Sequence, residues 1–278
     1  LVNIRFIREV GPLRWAFRTA IRQFYKRVLR RDHRMRLPIG GWITLPVSSR
    51  FATEAYVTGA DVDWGSERLL AALMDGTGAF LDVGANIGYY SLYFAPLASA
   101  VYSFEPDPRV RQALERNVAS NPRIHVLPFA VGAVKGKARF VLERDAEVSH
   151  LLRDGQASGN EIEVEVMTLD VFAAERGLRV EAIKIDVEGH DREVIEGALT
   201  IMRQQHPVVL TESPPDAELF RLTRETGYRV FGYVRHRQTR KRHFAELQPD
   251  VPTSGETKML FLVPERLVER ILLNADRT

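Results

Sequence analysis

The chain has 278 residues, 45% apolar and 27% charged, the balance of a globular protein with length for one large or two small domains. No run approaches the roughly 18 uninterrupted apolar residues of a membrane span, and the lack of cysteine excludes disulfides, thiolate metal sites and cysteine nucleophiles. The formal net charge of +3 is unevenly held: residues 1–36 carry eleven Lys/Arg against Glu9 and Asp32, a net +9, which leaves −6 on the remainder.

From Leu13 to Arg31 the residues Leu13, Ala16, Phe17, Ala20, Ile21, Phe24 and Val28 recur at three and four, which predicts an amphipathic helix entered through Gly11-Pro12. Arg14, Arg18, Arg22, Lys26 and Arg30 stand four apart, a cationic stripe whose members repel one another. Two readings stay open. The helix lies on anionic lipid or guides a polyanionic substrate, or it packs on its own domain with a solvated arginine face. The expectation carried forward is a cytoplasmic protein with peripheral contact to the inner face of the membrane through residues 13–36.

Residues 38–64 hold short β-like pieces broken by Pro and Gly, expected to form a lid or substrate wall. Ser66 has the position of an N-cap for a helix ending at Gly76-Thr-Gly78. Three segments are therefore expected: 1–37 basic and helical, 38–65 a lid or wall, and 66–278 the main fold.

Phe80-Leu-Asp-Val-Gly-Ala-Asn-Ile-Gly-Tyr-Tyr90 reads as a strand, a glycine turn and a helix start. Such a turn leaves backbone N–H groups beside a helix N-terminus, and Gly84 and Gly88 permit close backbone approach. The spacing Gly84-x-Asn86-x-Gly88 after Asp82 is not the dinucleotide Gly-x-Gly-x-x-Gly. It looks like the first motif of S-adenosylmethionine-dependent methyltransferases. A second strand, 100–104, ends on Glu105, a carboxylate able to accept from two ribose hydroxyls.

A helix over 109–120 leads to a strand over 124–131 ending at Gly132, and this alternation predicts a parallel sheet. Residues 138–143 and 161–167 alternate apolar and polar, as an antiparallel pair would, and the loop between them, with Ser149-His150-Leu151 and residues 155–160, is expected to border the site. Strands over 182–186 and 207–212 both end on carboxylates, with a helix over 191–199 between them. Strands at 228–234 and 258–263 close the sheet, and the tail 265–273 has helical spacing. The basic run 235–243 is expected at a solvated hairpin tip, the alternative being a phosphate or nucleic-acid contact; its aromatics are too sparse to favour RNA.

Leu81-Asp-Val-Gly-Ala-Asn-Ile-Gly-Tyr-Tyr-Ser91, Phe104-Glu-Pro-Asp-Pro108 and Ile183-Lys-Ile-Asp-Val-Glu-Gly-His-Asp191, in this order and spacing, resemble the FkbM family of S-adenosylmethionine-dependent methyltransferases. The resemblance covers about residues 66–263. It implies a Rossmann-like class I α/β fold: a mostly parallel seven-stranded sheet with an antiparallel C-terminal edge strand and an inserted β-hairpin. It also implies O-methylation of a hydroxyl on a sugar, glycan or natural product. The alternatives are a protein that keeps this fold but holds an anionic membrane or polymer through its basic helix, and, ranked lowest, an RNA methyltransferase, since Asp186-Val-Glu-Gly stands where base chemistry would be expected to show an Asn/Asp-Pro-Pro-Tyr-like run. The implied cofactor site is Asp82, Gly84, Ala85, Asn86, Gly88, Glu105, Pro106, Asp107 and Ala130. His150 departs from the pattern, since many members carry a second Ser there.

Proton removal from an alcohol needs a base or a metal. Asp186 and His190 are the first candidates for the base, with Glu188 and Lys184 beside them. Asp186 and Glu212, at the ends of neighbouring strands, are a candidate Mg2+ pair.

Overall fold

Residues 6–143, 149–152, 160–249 and 255–275 are described by a computed structural model of the chain. It begins with α1 (Ile7–Val10) and α2 (Pro12–Phe24), the latter continued by a π-helical turn at Tyr25–Leu29, then a hairpin of β1 (His33–Arg36) and β2 (Trp42–Leu45). α3 (Phe51–Thr58) and α4 (Ser66–Leu73) precede β3 (Ala79–Val83), α5 (Tyr89–Phe94), β4 (Val101–Phe104), α6 (Pro108–Val118) and β5 (Ile124–Leu127). After β6 (Ala130–Val131), β7 (Gly136–Val141), β8 (His150–Leu151) and β9 (Glu161–Met167), the alternation resumes with α7 (Leu169–Arg176), β10 (Val180–Ile185), α8 (Asp191–Glu196), α9 (Leu199–Gln205), β11 (Val208–Thr211) and α10 (Ala217–Thr226). β12 (Tyr228–His236), β13 (Arg242–Glu246), β14 (Gly255–Glu256), β15 (Leu260–Pro264) and α11 (Val268–Ala275) complete the chain.

The main sheet runs β13-β12-β15-β11-β10-β3-β4-β5, with β14 also on β12. β3, β4, β5, β10 and β11 are parallel to their neighbours in that set, and β15 is antiparallel to both β11 and β12. This is the Rossmann-like class I methyltransferase arrangement. Alternate residues feed two cores: Phe80, Ala182, Leu210 and Phe261 on one face, Leu81, Ile183, Val209 and Leu262 on the other. The first core is also filled by Met35, Leu37, Ile43, Leu45, Ala52 and Trp64, so residues 35–64 cover that face. β3 lies between β4 and β10, where the strand order reverses and a crevice opens at the C-terminal strand ends.

Several expectations need correction. The sheet has nine strands among the described residues, not seven, and its C-terminal strand is not an edge. Every residue of β15 is buried, as suits a strand paired on both sides, and the half-exposed β13 takes the edge. The strand read over 124–131 is two strands in two sheets, parted at Pro128, which has no N–H for a ladder. β7 and β9 pair antiparallel from Gly136↔Val166 to Val141↔Glu161, within a separate four-stranded sheet.

Within residues 38–64, where only short β-like pieces were expected, β2 is such a piece but Phe51–Thr58 is the helix α3. Ser49 Oγ accepts from Ala52 N, and Gly59 ends the helix at φ 72°, a start and a stop that outweigh the β-branched residues. Ser66 is the first helical residue and makes no cap bond. The helix read over 191–199 is broken at Gly197, and that over 13–31 turns π-helical after Phe24.

Candidate active site

The glycine turn after β3 serves chain packing more than ligand approach. Gly84 lies at φ 74°, and a Cβ on it would stand 1.9 Å from the Asp186 carbonyl oxygen; on Gly88, at φ 88°, a Cβ would meet Leu114 Cδ1 at 2.7 Å. The N–H groups of Gly84 and Ala85 both donate to the Phe104 carbonyl, Gly88 N donates to Ala85 O, and Asn86 N donates to Glu105 Oε2 at 3.0 Å. The turn therefore offers no uncovered N–H at those four residues, contrary to the sequence expectation. Asn86 itself sits at φ 50°, uncommon for a residue with a side chain, and its Oδ1 is buried without a partner.

Glu105 follows β4 and is held by two backbone donors, Asn86 N on Oε2 and Asp107 N on Oε1. Burial pushes its carboxyl up to about 7; the two N–H groups pull it down, Asp107 pushes it up and Lys184 pulls it down. Each oxygen keeps acceptor capacity beyond its backbone donor. Asp107 is the N-cap of α6, accepting from Arg109 N and pairing with the Arg109 guanidinium, which holds its carboxyl below the usual range against a burial effect of opposite sign.

Asp82 and Lys184 are register partners on β3 and β10, and both are buried. Asp82 has no exposed surface; Ser91 Oγ donates to its Oδ2, and Lys184 Nζ stands 3.7 Å from Oδ1. Lys184 Nζ also donates to Gly84 O at 2.7 Å and lies 3.5 Å from Asp186. Burial alone would lower its pKa, but Asp186, Asp82, Asp63 and Asp191 together raise it, so the ammonium stays charged. A charged lysine is a brace and not a base.

A cavity of about 1120 Å³ opens at the reversal point. Of the residues expected at the site, Gly84, Ala85, Asn86, Glu105, Pro106, Ala130, Lys184, Asp186, Glu188, His190 and Glu212 line it; Asp82, Gly88 and Asp107 do not. Phe104, Phe129 and Phe140 supply apolar surface, and Ser149, His150 and Leu151 border it as expected. Residues 155–159 of the same loop lie outside the described residues.

Asp186 and Glu212 meet side chain to side chain at the tips of β10 and β11. Glu212 is exposed to the cavity; the protein atoms crowded around it, then the Asp186 charge and hydrogen bond, raise it to about 9. One carboxyl of the pair keeps its proton near neutrality. Among the described residues no three His, Asp or Glu side chains are grouped to hold a metal ion. Asp186 and Glu212 supply two carboxylates, fewer than the ligand set of a resident Mg2+ held by protein groups alone. His190 is committed elsewhere: its Nε2 is 2.8 Å from Leu151 O, a bond in which the ring N–H must donate, and Nδ1 faces Glu193 at 3.6 Å. Glu188 stands at φ 48° beside Gly189 at φ 87°, a strained corner on the cavity wall.

Residues 50–63 line the cavity, within the segment expected to form a lid or substrate wall, but their charged residues were not singled out. Lys258 Nζ bridges Glu54 at 2.9 Å and Asp63 at 3.2 Å, and Tyr90 Oη donates to Asp63 Oδ2 at 2.6 Å. Behind them Glu67 accepts from Val62 N, Asp63 N and Tyr89 Oη, and burial followed by Asp63 pushes it up to about 8. The available signals were isolated charges in apolar settings, Asp63 between Val62 and Trp64 and Lys258 ahead of Met259-Leu-Phe-Leu-Val263. α2 and the turn after it supply Thr19, Gln23, Lys26 and Arg27 to the same cavity.

The basic run 235–243 is not wholly a solvated tip. Arg235 is buried, with its guanidinium 4.0 Å over the Trp64 ring and in ion pairs with Glu9 and Glu256. Arg237 to Lys241 form the exposed turn, apart from the partly covered Arg240, which pairs with Glu256.

None of the curated proteins compared matches the chain. Among solved structures, the methyltransferase FkbM from Methylobacillus flagellatus KT superposes with a TM-score of 0.42 at 17% identity over 76% of this chain; the chain covers 52% of that one, about half its length. An rRNA methylase from Streptococcus thermophilus gives 0.39 at 11% identity over 72% of this chain and 93% of its own. The tRNA (uracil-54, C5)-methyltransferase of Pyrococcus abyssi, solved with S-adenosyl-L-homocysteine, gives 0.41 at 14% over 84% and 43%. The methyltransferase FkbM domain profile matches residues 82–230, more than half of the sequence, from the buried aspartate of β3 into β12. The chain belongs to the FkbM methyltransferase family.

Proposed function

We propose that the protein is an S-adenosylmethionine-dependent O-methyltransferase acting on a hydroxyl of a sugar, glycan or related natural product. The observation that carries this reading is the convergence on one cavity of Glu105, from the end of β4, and the carboxyl pair Asp186–Glu212, from the ends of β10 and β11. S-adenosylmethionine supplies a methyl group already activated on a sulfonium carbon, so the protein's tasks are to hold the donor, align the acceptor oxygen and take its proton. Glu105 accepts the ribose hydroxyls. The turn suits a sugar better than a pyrophosphate, because its N–H groups are spent on Phe104, Ala85 and Glu105, while the unpartnered Asn86 Oδ1 fits a hydroxyl or amine donor.

In this reading Asp186 receives the acceptor proton. Glu212, protonated beside it, holds the pair at a single negative charge, and Lys184 stands 3.5 Å from Asp186 as its counter-charge. His190 positions the 149–151 segment through Leu151 and is not the base. The wall of Glu54, Asp63 and Lys258 offers donors and acceptors for a polyhydroxyl acceptor, and Lys26 and Arg27 suit an anionic group on it.

The test is calorimetric titration of S-adenosylhomocysteine into the natural protein, Glu105→Ala and Asp186→Asn, each first shown to be folded by thermal melting. Binding should be lost at least about tenfold, or 1.4 kcal/mol, in Glu105→Ala and kept in Asp186→Asn, which should be inactive in an acceptor screen over sugars and glycans. Absence of binding to the folded natural protein would sink the cofactor assignment.

A further inference from the structure

The N-terminal helix faces the opposite way to an ordinary surface helix. Its basic side is turned inward: Arg22 has no exposed surface and donates to the Leu45 and Pro46 carbonyls, Arg18 donates to Val57 O, and Lys26 to Thr53 Oγ1. Its apolar side faces solvent, with Leu13 86%, Phe17 68% and Phe24 49% exposed, and Val28 of the π turn 64% exposed. At 3.6 residues per turn Leu13, Phe17 and Phe24 fall within about 40° of one another, opposite Arg22. Scattered exposed hydrophobics are ordinary, but a single helical stripe of them marks a surface that is covered in use.

We infer that this stripe docks on an anionic lipid surface. The charge of the segment selects that occupant. Arg14, Arg30, Arg31 and Arg34 of the same N-terminal segment are exposed, and none of them is in an ion pair among the described residues. Arg34 lies 5.4 Å over the ring of Trp42, which is itself exposed, an indole and guanidinium placed as at a membrane interface. Phosphate headgroups neutralise such charges, whereas a second copy packed stripe to stripe would set its arginines against these. Among the described residues no helix is long and apolar enough to cross a membrane, so the segment lies on the surface and does not span it.

The stripe and the cavity share one helix, since Thr19, Gln23 and Lys26 line the cavity while Phe17 and Phe24 point away from it. Docking therefore brings the cavity to headgroup level, where a lipid-linked acceptor would enter. That last consequence rests on the methyl-transfer reading; the docking does not.

The test is co-sedimentation of the full chain with vesicles of phosphatidylcholine alone and of phosphatidylcholine mixed with phosphatidylglycerol, with light scattering on the free protein. The natural protein should bind the mixed vesicles, release on raising salt, and bind neutral vesicles far less. Phe17→Ser with Phe24→Ser, both exposed and so compatible with folding, should lower partitioning at least tenfold; Arg14→Gln with Arg30→Gln and Arg31→Gln should lower it on the mixed vesicles only. Undiminished binding by the Phe17/Phe24 variant overturns the proposal. So does a natural protein that ignores vesicles and is a dimer dispersed by the same substitutions, which would make the stripe a protein interface. None of these readouts involves cofactor or turnover, so failure here leaves the reading of the cavity untouched.

Discussion

Lys184 Nζ donates to the Gly84 carbonyl at 2.7 Å while standing 3.7 Å from Asp82 and 3.5 Å from Asp186, so one buried cation ties the glycine turn to the tip of the neighbouring strand. Lys184→Met removes the charge but leaves Asp82 in a site without exposed surface. Breaking a buried pair from one side costs about 3–5 kcal/mol, and urea unfolding should show a loss in that range. Asp82→Asn combined with Lys184→Met should recover part of it, because no unpaired charge remains. The raised lysine pKa makes this contribution complete below the ordinary lysine value and lost only as pH climbs through the folded value, so it should be constant across neutral pH.

The two turn glycines should differ sharply in what they tolerate. Alanine at Gly84 puts its Cβ 1.9 Å from a backbone oxygen, which cannot yield without parting β3 from β10. At Gly88 the obstacle is Leu114 Cδ1 at 2.7 Å, the far end of a side chain that can rotate away. Both substitutions carry the left-handed backbone penalty of roughly 1–2 kcal/mol. Gly88→Ala should melt a few degrees lower and still bind S-adenosylhomocysteine; Gly84→Ala should fail to fold or lose binding entirely. Equal effects would contradict the packing described for the turn.

The turn, its acid after β4 and the carboxylates after β10 and β11 were legible because each rests on local rules: a strand ends, a glycine follows, a charged residue waits at the tip. What was not legible depends on residues far apart in sequence. That Gly84 N–H points at Phe104 and not at a ligand is set by the β3–β4 pairing. That His190 is occupied by Leu151 depends on where a distant strand lies. Periodicity predicted a helix over 13–31 but is blind to which side meets the protein, and the rule that apolar faces turn inward failed there. Lys258 and Asp63 carried no motif, and only the close approach of residues 51–63 to β15 makes them a pair.

Cofactor affinity should depend on pH through Glu105. Its carboxyl titrates at about 7, raised chiefly by burial, and only the ionised form can accept from both ribose hydroxyls. S-adenosylhomocysteine should therefore bind progressively more weakly as pH falls from 8 to 6, about tenfold per unit below the pKa. Calorimetry near pH 7 in buffers of different ionisation heat should show net proton release on binding. A flat profile would mean that Glu105 is already ionised or does not touch the ligand.

The same group, with Asp191 at about 6 and Glu67 at about 8, shapes stability in the reverse sense. Folded-state values above the unfolded ones mean that the folded chain holds more protons between about pH 4.5 and 8, so stability declines as pH rises through that window. Denaturant midpoints should be higher at pH 6 than at pH 8, and Glu67→Gln should flatten the slope. Saturating S-adenosylhomocysteine should narrow the gap, because it favours the ionised Glu105.

Arg22 is fully buried and its partners are all neutral oxygens: Leu45 O at 3.1 Å, Pro46 O at 2.5 Å and Thr53 Oγ1 at 3.4 Å. Burial pulls its pKa down and Asp32 partly restores it. A planar fork reaching two carbonyls and a hydroxyl at once cannot be reproduced by an ammonium. Arg22→Lys should therefore cost about 1–3 kcal/mol through the carbonyl left without its donor, and Arg22→Met should cost at least as much. The loss should appear as a lower melting temperature and as proteolytic cutting before α3, since Leu45, Pro46 and Thr53 belong to the segment that Arg22 fastens to α2. Unchanged stability in both variants would show that the basic side of the helix does not face the protein, and the outward apolar stripe would fall with it.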